Sequence, residues 1–299
     1  MTNVSETPAG LEIALEHGRH RLVVSEIGAG LRSWTVGGRE VLASFTPGTP
    51  DAAFCGKVLI PWPNRVRDGR YRFDGVEHRL EISEPERASA LHGLVLWSRW
   101  RGVRSSSRRA TFSYELRPQT GYPFSLRLAV DYELESEGVA VTLRATNVGE
   151  QRAPFGAGLH PYLAAADREV ALEIPARTRL PVDDRLLPAG PPTPVQGTDG
   201  DFRRGRALGT VSLDACFGDL QRDPAGLARV RLVTRGGTRV LAVWIDETFR
   251  FVQVYTVPGA IAIEPMTCAP DALNSGDGLL VLEPGASFTG RCGVTAAGF

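Results

Sequence analysis

Alternation with a period of two, broken by paired turn residues, is the feature of this chain that most restricts its fold. Between Phe124 and Asn147, the residues Leu126, Leu128, Val130, Tyr132 and Leu134 alternate with polar or small neighbours, and after Glu137-Gly138 the pattern resumes at Val139, Val141, Leu143 and Ala145. Successive side chains of a strand point to opposite faces, so this spacing predicts two long antiparallel strands joined by a tight turn. Tyr71 to Leu80 predicts a second hairpin with Asp74-Gly75 at its tip, a pair that tolerates positive φ at both central positions. Val230 to Thr234 and Thr238 to Trp244, joined through Arg235-Gly236-Gly237, predict a third. Further strands are expected over 11–15, 21–24, 111–116, 169–174, 249–257, 260–264, 279–282 and 288–294. No segment holds a helical period over three turns, and the 33 glycines and 21 prolines fall between strands as punctuation. The expectation is an all-β chain, a large antiparallel β-sandwich of two packed sheets, with residues 1–299 forming a single domain. The irregular stretch 181–205 is expected to be a long surface loop rather than a linker, because strands of the same character flank it.

Charge narrows the partners. Lys plus Arg and Asp plus Glu both number 34, a formal net charge of zero, without the basic excess of a nucleic-acid or membrane-surface binder. No stretch reaches the roughly 20 apolar residues that span a bilayer, and the first residues lack a basic segment followed by an apolar one, so a cytoplasmic location is expected. The four cysteines (55, 216, 268 and 292) are far apart with no CxxC pair, and are expected to be reduced core residues rather than a zinc site.

Of the five histidines, His92 (Ala-Leu-His-Gly-Leu) and His160 (Gly-Leu-His-Pro-Tyr) stand among apolar residues and glycines at expected strand ends. Either one alone reads as a core histidine bonded to backbone carbonyls; two together suggest an acid–base cluster. Glu264 ends an apolar strand before Pro265 and faces away from Ile261 and Ile263, where it is either solvent-facing or held in a pocket with a raised pKa. Pro61-Trp62-Pro63-Asn64-Arg65 combines an aromatic with a fixed cation, which suits either a sugar site or a structural ion pair. Asp214 and Gln253 are polar residues breaking apolar strands. A metal held by His92, His160 and Glu264 would need a fourth ligand or water, and no spacing signature supports one. Dinucleotide, P-loop, HExxH, GxSxG and EF-hand signatures are absent.

The stretch 56–75, then Leu91-His-Gly, Gly158-Leu-His-Pro-Tyr162, Leu213-Asp-Ala-Cys-Phe, Val252-Gln-Val-Tyr-Thr and 263–274 resemble, in order, the motifs of the aldose 1-epimerase (galactose mutarotase) family. The resemblance covers about Gly56 to Gly290 and implies the family's supersandwich fold. It implies His160 as general acid, Glu264 as general base and His92 as a second active-site histidine. Asn64, Arg65, Tyr162, Asp214 and Gln253 match positions that line the sugar site. The run around Glu264 resembles a bacterial subgroup with no assigned sugar preference, and Ala215 stands where galactose-type members carry histidine, so the resemblance implies the acid–base pair more firmly than it implies galactose.

The implied activity is interconversion of the α and β anomers of a free aldohexose of the glucose or galactose type. It needs two proton transfers, no cofactor, no metal and no partner beyond the sugar, in a monomer or homodimer. The alternatives are a mutarotase for a charged or modified sugar (a hexose phosphate or a sulfonated hexose), with Arg67, Arg70 and Arg72 as candidate cations; a glycoside hydrolase or lyase, which would need two carboxylates; and a non-catalytic carbohydrate-binding protein.

Overall fold

The computed structural model of the chain describes residues 10–44, 54–165, 169–234 and 236–299. Two large antiparallel sheets dominate. One has nine strands and carries the longest alternating segments, Arg109–Leu116, Leu126–Leu134, Gly138–Asn147 and Ser287–Ala297, as neighbours. The other has eight strands, and Asp214–Leu220, Phe251–Val257 and Ala260–Met266 lie side by side in it. Inward side chains of both sheets, such as Leu128, Val130 and Leu143 from the first and Val252, Val254 and Ile263 from the second, meet in one continuous core. A four-stranded sheet from the N-terminal third and three two-stranded ribbons complete the described structure.

The expected hairpins form. Leu134 pairs with Val139 across the first turn, and Phe73 pairs with Val76 across a two-residue loop in which Asp74 and Gly75 both have positive φ. Ala228–Thr234 pairs with Val240–Ile245 in the third, where Arg235 lies outside the described residues. Along Leu126–Leu134 every second residue is buried, as one water-facing side of a sheet requires. Ala260–Met266 differs: all its residues are buried. One face carries Ile261 and Ile263 into the core, and on the other Ala260 and Ala262 cluster with Tyr162 of the neighbouring strand, with Ala43 and Cys55 packed against them. This doubly covered strand carries Glu264.

Among the described residues, helix is confined to the single turn Ala272–Ser275 and a 3₁₀ turn at Pro85–Arg87, and no helix there is long and apolar enough to cross a membrane. The four cysteines are unpaired. The 181–205 stretch folds against the body: Thr193–Pro194 pairs with Ala176–Arg179, and Leu187, Val195 and Phe202 are buried.

Candidate active site

The eight residues singled out from the sequence, separated by up to 200 positions, line one pocket of ≈ 170 Å³. That volume lies below the roughly 300–1,000 Å³ of pockets for drug-sized ligands and suits one sugar ring. Register places the members. Gln253 lies directly opposite Glu264 on paired strands, and Cys216 lies opposite Gln253 on the next, which brings Asp214 to the same end. Tyr162 pairs opposite Ala262. His160 follows the short strand Gly158–Leu159 and is held at both its backbone groups: its N–H donates to Lys57 O at 3.0 Å and its carbonyl accepts from Gly56 N–H at 2.8 Å.

Asn64, Arg65 and His92 come from the ribbon in which Arg65–Arg67 pairs with Ser89–Leu91. Asn64 and His92 both adopt left-handed backbone, φ 58° and 62°, an uncommon state for residues with a Cβ that costs on the order of 1–3 kcal/mol each. They are bonded to each other: His92 N–H donates to Asn64 O at 2.9 Å, and Asn64 N–H donates to His92 Nδ1 at 3.1 Å. Gly93 continues the turn at φ 79°, where a Cβ would sit 2.1 Å from Ile60 O, so only glycine fits.

The Asn64 N–H also decides the chemistry of His92. An imidazole nitrogen that accepts from a backbone amide has no proton, so in neutral His92 the proton is on Nε2 and the ring is a donor. Although His92, His160 and Glu264 offer ligand atoms within 4.8 Å of one another, a metal on Nε2 would force the proton onto Nδ1, against the Asn64 N–H. Metal-bound histidines instead donate from the second nitrogen. The trio therefore does not fit a metal ion.

His160 Nε2 lies 3.3 Å from Glu264 Oε1, with both side chains 3 % exposed. The His160 ring stacks between Tyr162 (4.8 Å, 18°) and Phe54 (5.8 Å, 23°), which holds its plane and keeps water off it. Burial pushes its pKa down to about 3. Burial, and then the charge of Asp214, push the Glu264 carboxyl well above the usual carboxylate range, with Arg65 pulling the other way. Burial above all, then the nearness of His160 and Arg65, lowers the His92 pKa well below the usual imidazole value. Gln253 Nε2 donates to Asp214 Oδ1 at 2.5 Å. That leaves His160 Nδ1, Gln253 Oε1 and Glu264 Oε2 buried without a partner within the described protein. Buried polar atoms are almost always satisfied, so three unpartnered atoms in one pocket leave bonding capacity that hydroxyl groups of a ligand could meet.

Arg65 has the ion-pair role as well as a place in the lining. Its Nε and Nη2 donate to the two oxygens of Glu84 at 2.7 and 2.8 Å, both side chains being under 10 % exposed. Burial works against the guanidinium charge, and the Glu84 bond and charge more than offset it. Arg87, also in the lining, donates to Glu84 Oε1 at 3.0 Å. Removing the carboxylate would strand two cations, one of them buried. Glu84→Ala is therefore expected to cost about 3–5 kcal/mol in urea unfolding; a loss under 1 kcal/mol would mean the pair is solvated in solution.

Phe54, Glu84, Arg87, Leu91 and Tyr255 complete the lining and were not singled out from the sequence. Glu84 and Arg87 sit in Ser-Glu-Pro-Glu-Arg, which reads as a solvated turn; the only available signal was that a buried Arg65 needs a carboxylate. The cations first considered for a charged sugar are elsewhere. Arg67 is bonded to Asp271, Asp183 and Pro188 O, Arg72 to Gly75 O, and Arg70 is exposed. None of the three lines the pocket.

The resemblance and the sandwich agree with direct comparison. The aldose 1-epimerase family profile matches residues 12–295. This chain belongs to the aldose 1-epimerase family. Its relatives include the uncharacterised protein YihR of Escherichia coli K12, 32 % identical over 290 residues, covering 93 % of this chain and 90 % of that protein. Human galactose mutarotase is 34 % identical over 172 residues. That match spans about half of each chain, 52 % of this one and 47 % of the human protein. Among solved structures, a galactose mutarotase-like protein from Clostridium acetobutylicum superposes with TM-score 0.86 at 15 % identity, over 96 % of this chain and 95 % of its own. Galactose 1-epimerase from Lactobacillus acidophilus gives TM-score 0.77 at 22 % identity, over 95 % and 93 %. At such identities these structures establish the aldose 1-epimerase fold, the galactose mutarotase-like supersandwich, and no more.

Proposed function

We propose that this family member interconverts the anomers of a neutral aldohexose, with Glu264 and His160 sharing the proton that the reaction moves. The observation that carries the proposal is the 3.3 Å contact between two buried titratable groups whose pKa values are driven past each other. The expectation from the chemistry is an acid and a base placed across the sugar; here they are side by side. That suits the reaction, because the C1 hydroxyl oxygen and the ring oxygen are both bonded to C1. An adjacent pair can serve both oxygens from one edge of the ring.

The pair holds one proton. In the sugar-free enzyme, low-dielectric surroundings favour the uncharged arrangement, carboxyl beside neutral imidazole. A cyclic sugar that bonds the orphaned Glu264 Oε2 and His160 Nδ1 favours the ionised arrangement. The carboxylate then takes the proton from the C1 hydroxyl while the imidazolium protonates the ring oxygen, and the C1–ring-oxygen bond breaks. This returns the pair to its uncharged form beside an open-chain aldehyde. Rotation about C1–C2 and the reverse transfers close the ring on the other face. The His92 Nε2–H is a fixed donor for the sugar oxygens, and Asp214, Gln253 and Asn64 hold the remaining hydroxyls.

Charge balance supports a neutral sugar. Arg65 and Arg87 are matched in the lining by Glu84 and Asp214, and Arg87 is already committed to Glu84. An anionic hexose would have to release it. A pure binding protein has no use for a buried acid–base pair.

Polarimetry on freshly dissolved α-glucose and α-galactose tests the proposal: addition of the protein is expected to speed the approach to equilibrium. If only glucose 6-phosphate or a sulfonated hexose responds, the charged-sugar reading replaces it. If no sugar responds and binding remains, the binding reading does.

The pair also fixes a pH signature. Activity ends at high pH when the pair loses its one proton, and the charge of Asp214 helps to hold that proton on. Asp214→Asn removes a cause that raises the Glu264 pKa. The alkaline limb of kcat is expected to move to lower pH, whatever the change in its height. An unmoved or upward-shifted limb would dissociate Asp214 from the acid–base pair.

A further inference from the structure

A second and larger groove, ≈ 480 Å³, lies on the other side of the Leu91–Gly93 turn, and Leu91 is a wall of both spaces. The proposed reaction does not use it. Its most accessible wall is Trp97, 65 % exposed and the most exposed large hydrophobic among the described residues. A lone exposed indole is ordinary, but this one is braced. Lys57 Nζ sits 3.2 Å from the centre of its ring. Lys57 is the sole lysine of the chain and is only 7 % exposed; it makes no ion pair among the described residues. A buried cation set against the indole keeps the ring in one orientation and leaves the remainder of its surface to the groove.

The rest of the groove has a consistent chemistry. Trp62 contributes an apolar surface. The side chains of Glu81, Gln119 and Thr120 line it and make no hydrogen bond within the described chain, and the Ser83 hydroxyl accepts from Leu91 N–H at 2.8 Å, which leaves its own O–H to donate. No arginine or lysine is in the lining, and Glu81 is its sole charge. A flat, pre-oriented aromatic surface with a fringe of uncommitted hydroxyl, amide and carboxylate groups matches a pyranose, which presents an apolar C–H face and a rim of hydroxyls. The carboxylate and the lack of cations disfavour phosphorylated or sulfonated ligands. The volume, well above that of the catalytic pocket, admits more than one ring.

We propose that the Trp97 groove is a second carbohydrate site, separate from the catalytic pocket, that binds neutral oligosaccharides. The test is saturation-transfer NMR and fluorescence titration with maltotriose and cellotriose, on wild type, Trp97→Ala and Glu264→Gln. At least one trisaccharide is expected to bind wild type and Glu264→Gln alike and to persist in excess glucose. Trp97→Ala is expected to weaken it about tenfold or more, with the monosaccharide anomerisation rate and circular dichroism unchanged. Four results would overturn the proposal: no binding of either trisaccharide to wild type, equal binding to Trp97→Ala, displacement by glucose, which assigns the ligand to the catalytic pocket, or selective binding of tetramethylammonium, which assigns the groove to organic cations. None of these results bears on whether the Glu264–His160 pair is catalytic.

Discussion

Glu264→Gln is expected to lower kcat for anomer interconversion by about 10²–10⁴-fold, the usual contribution of a positioned base, without loss of fold. Glutamine keeps the shape and can still bond the sugar, but it cannot take the C1 hydroxyl proton. The effect on stability has a definite sign. Because burial raises the Glu264 pKa, the fold favours the protonated carboxyl. That preference costs nothing at a pH below the unfolded carboxyl's pKa, and it becomes a growing penalty as pH rises through the folded value. Glutamine has no proton to lose, so the variant is expected to match wild type in acid and to equal or exceed it in alkali. Both readouts, kcat by polarimetry and unfolding free energy against pH, are needed. A variant that turns over normally would remove Glu264 from the mechanism; one that is inactive but markedly less stable at high pH would recast it as a structural carboxylate.

His160→Gln is expected to have a loss of kcat in the same range, with the opposite pH behaviour in stability. The His160 pKa is depressed from 6.5 to about 3 by burial between Tyr162 and Phe54. The fold therefore favours the neutral ring. That stabilisation is complete above about pH 6.5 and is lost as pH falls towards 3, where the buried ring must take a proton; it amounts to at most about 5 kcal/mol. Removing the imidazole is expected to make the protein less sensitive to acid over this interval. His160→Ala leaves a gap between the two stacked rings, so glutamine is the cleaner replacement, and alanine with added imidazole is a rescue control. Unchanged acid sensitivity in His160→Gln would mean that the ring is solvated, and an unchanged kcat would mean that it is not the acid.

The long strands were legible because one side of each faces water. Leu126 to Leu134 must alternate, since every second residue leaves the core. The strands that build the site gave a weaker signal for the opposite reason. Gly158–Leu159, Tyr162–Ala164 and most of Asp214–Leu220 are covered on both faces and too short or too uniformly apolar to show a period. Val58–Leu59 and Arg65–Arg67 are equally short. Polar residues inside such runs, Asp214, Gln253 and Glu264, were visible because apolar surroundings make them conspicuous. His92 and His160 stood out for the same reason, but their convergence was carried by motif order alone, since no local spacing relates His92 to His160. The Arg65–Glu84–Arg87 arrangement was not legible. An ion pair was one of the two readings of Arg65, but Glu84 and Arg87 look like exposed charges, and only the fold shows that the turn at Pro85–Arg87 brings them to the pocket. The tautomer of His92 was likewise out of reach, because it depends on the backbone of Asn64 turning its N–H inward.

The proposed exchange between sugar anomers runs on one proton shared by Glu264 and His160. It is tested most directly by two-dimensional exchange NMR on equilibrated glucose and galactose, following the cross-peaks between α and β anomeric protons with wild type and with Glu264→Gln. The expected result is enzyme-dependent cross-peaks for at least one of the sugars with wild type, absent with the variant at equal concentration. Cross-peaks of equal strength with both proteins would contradict the claim.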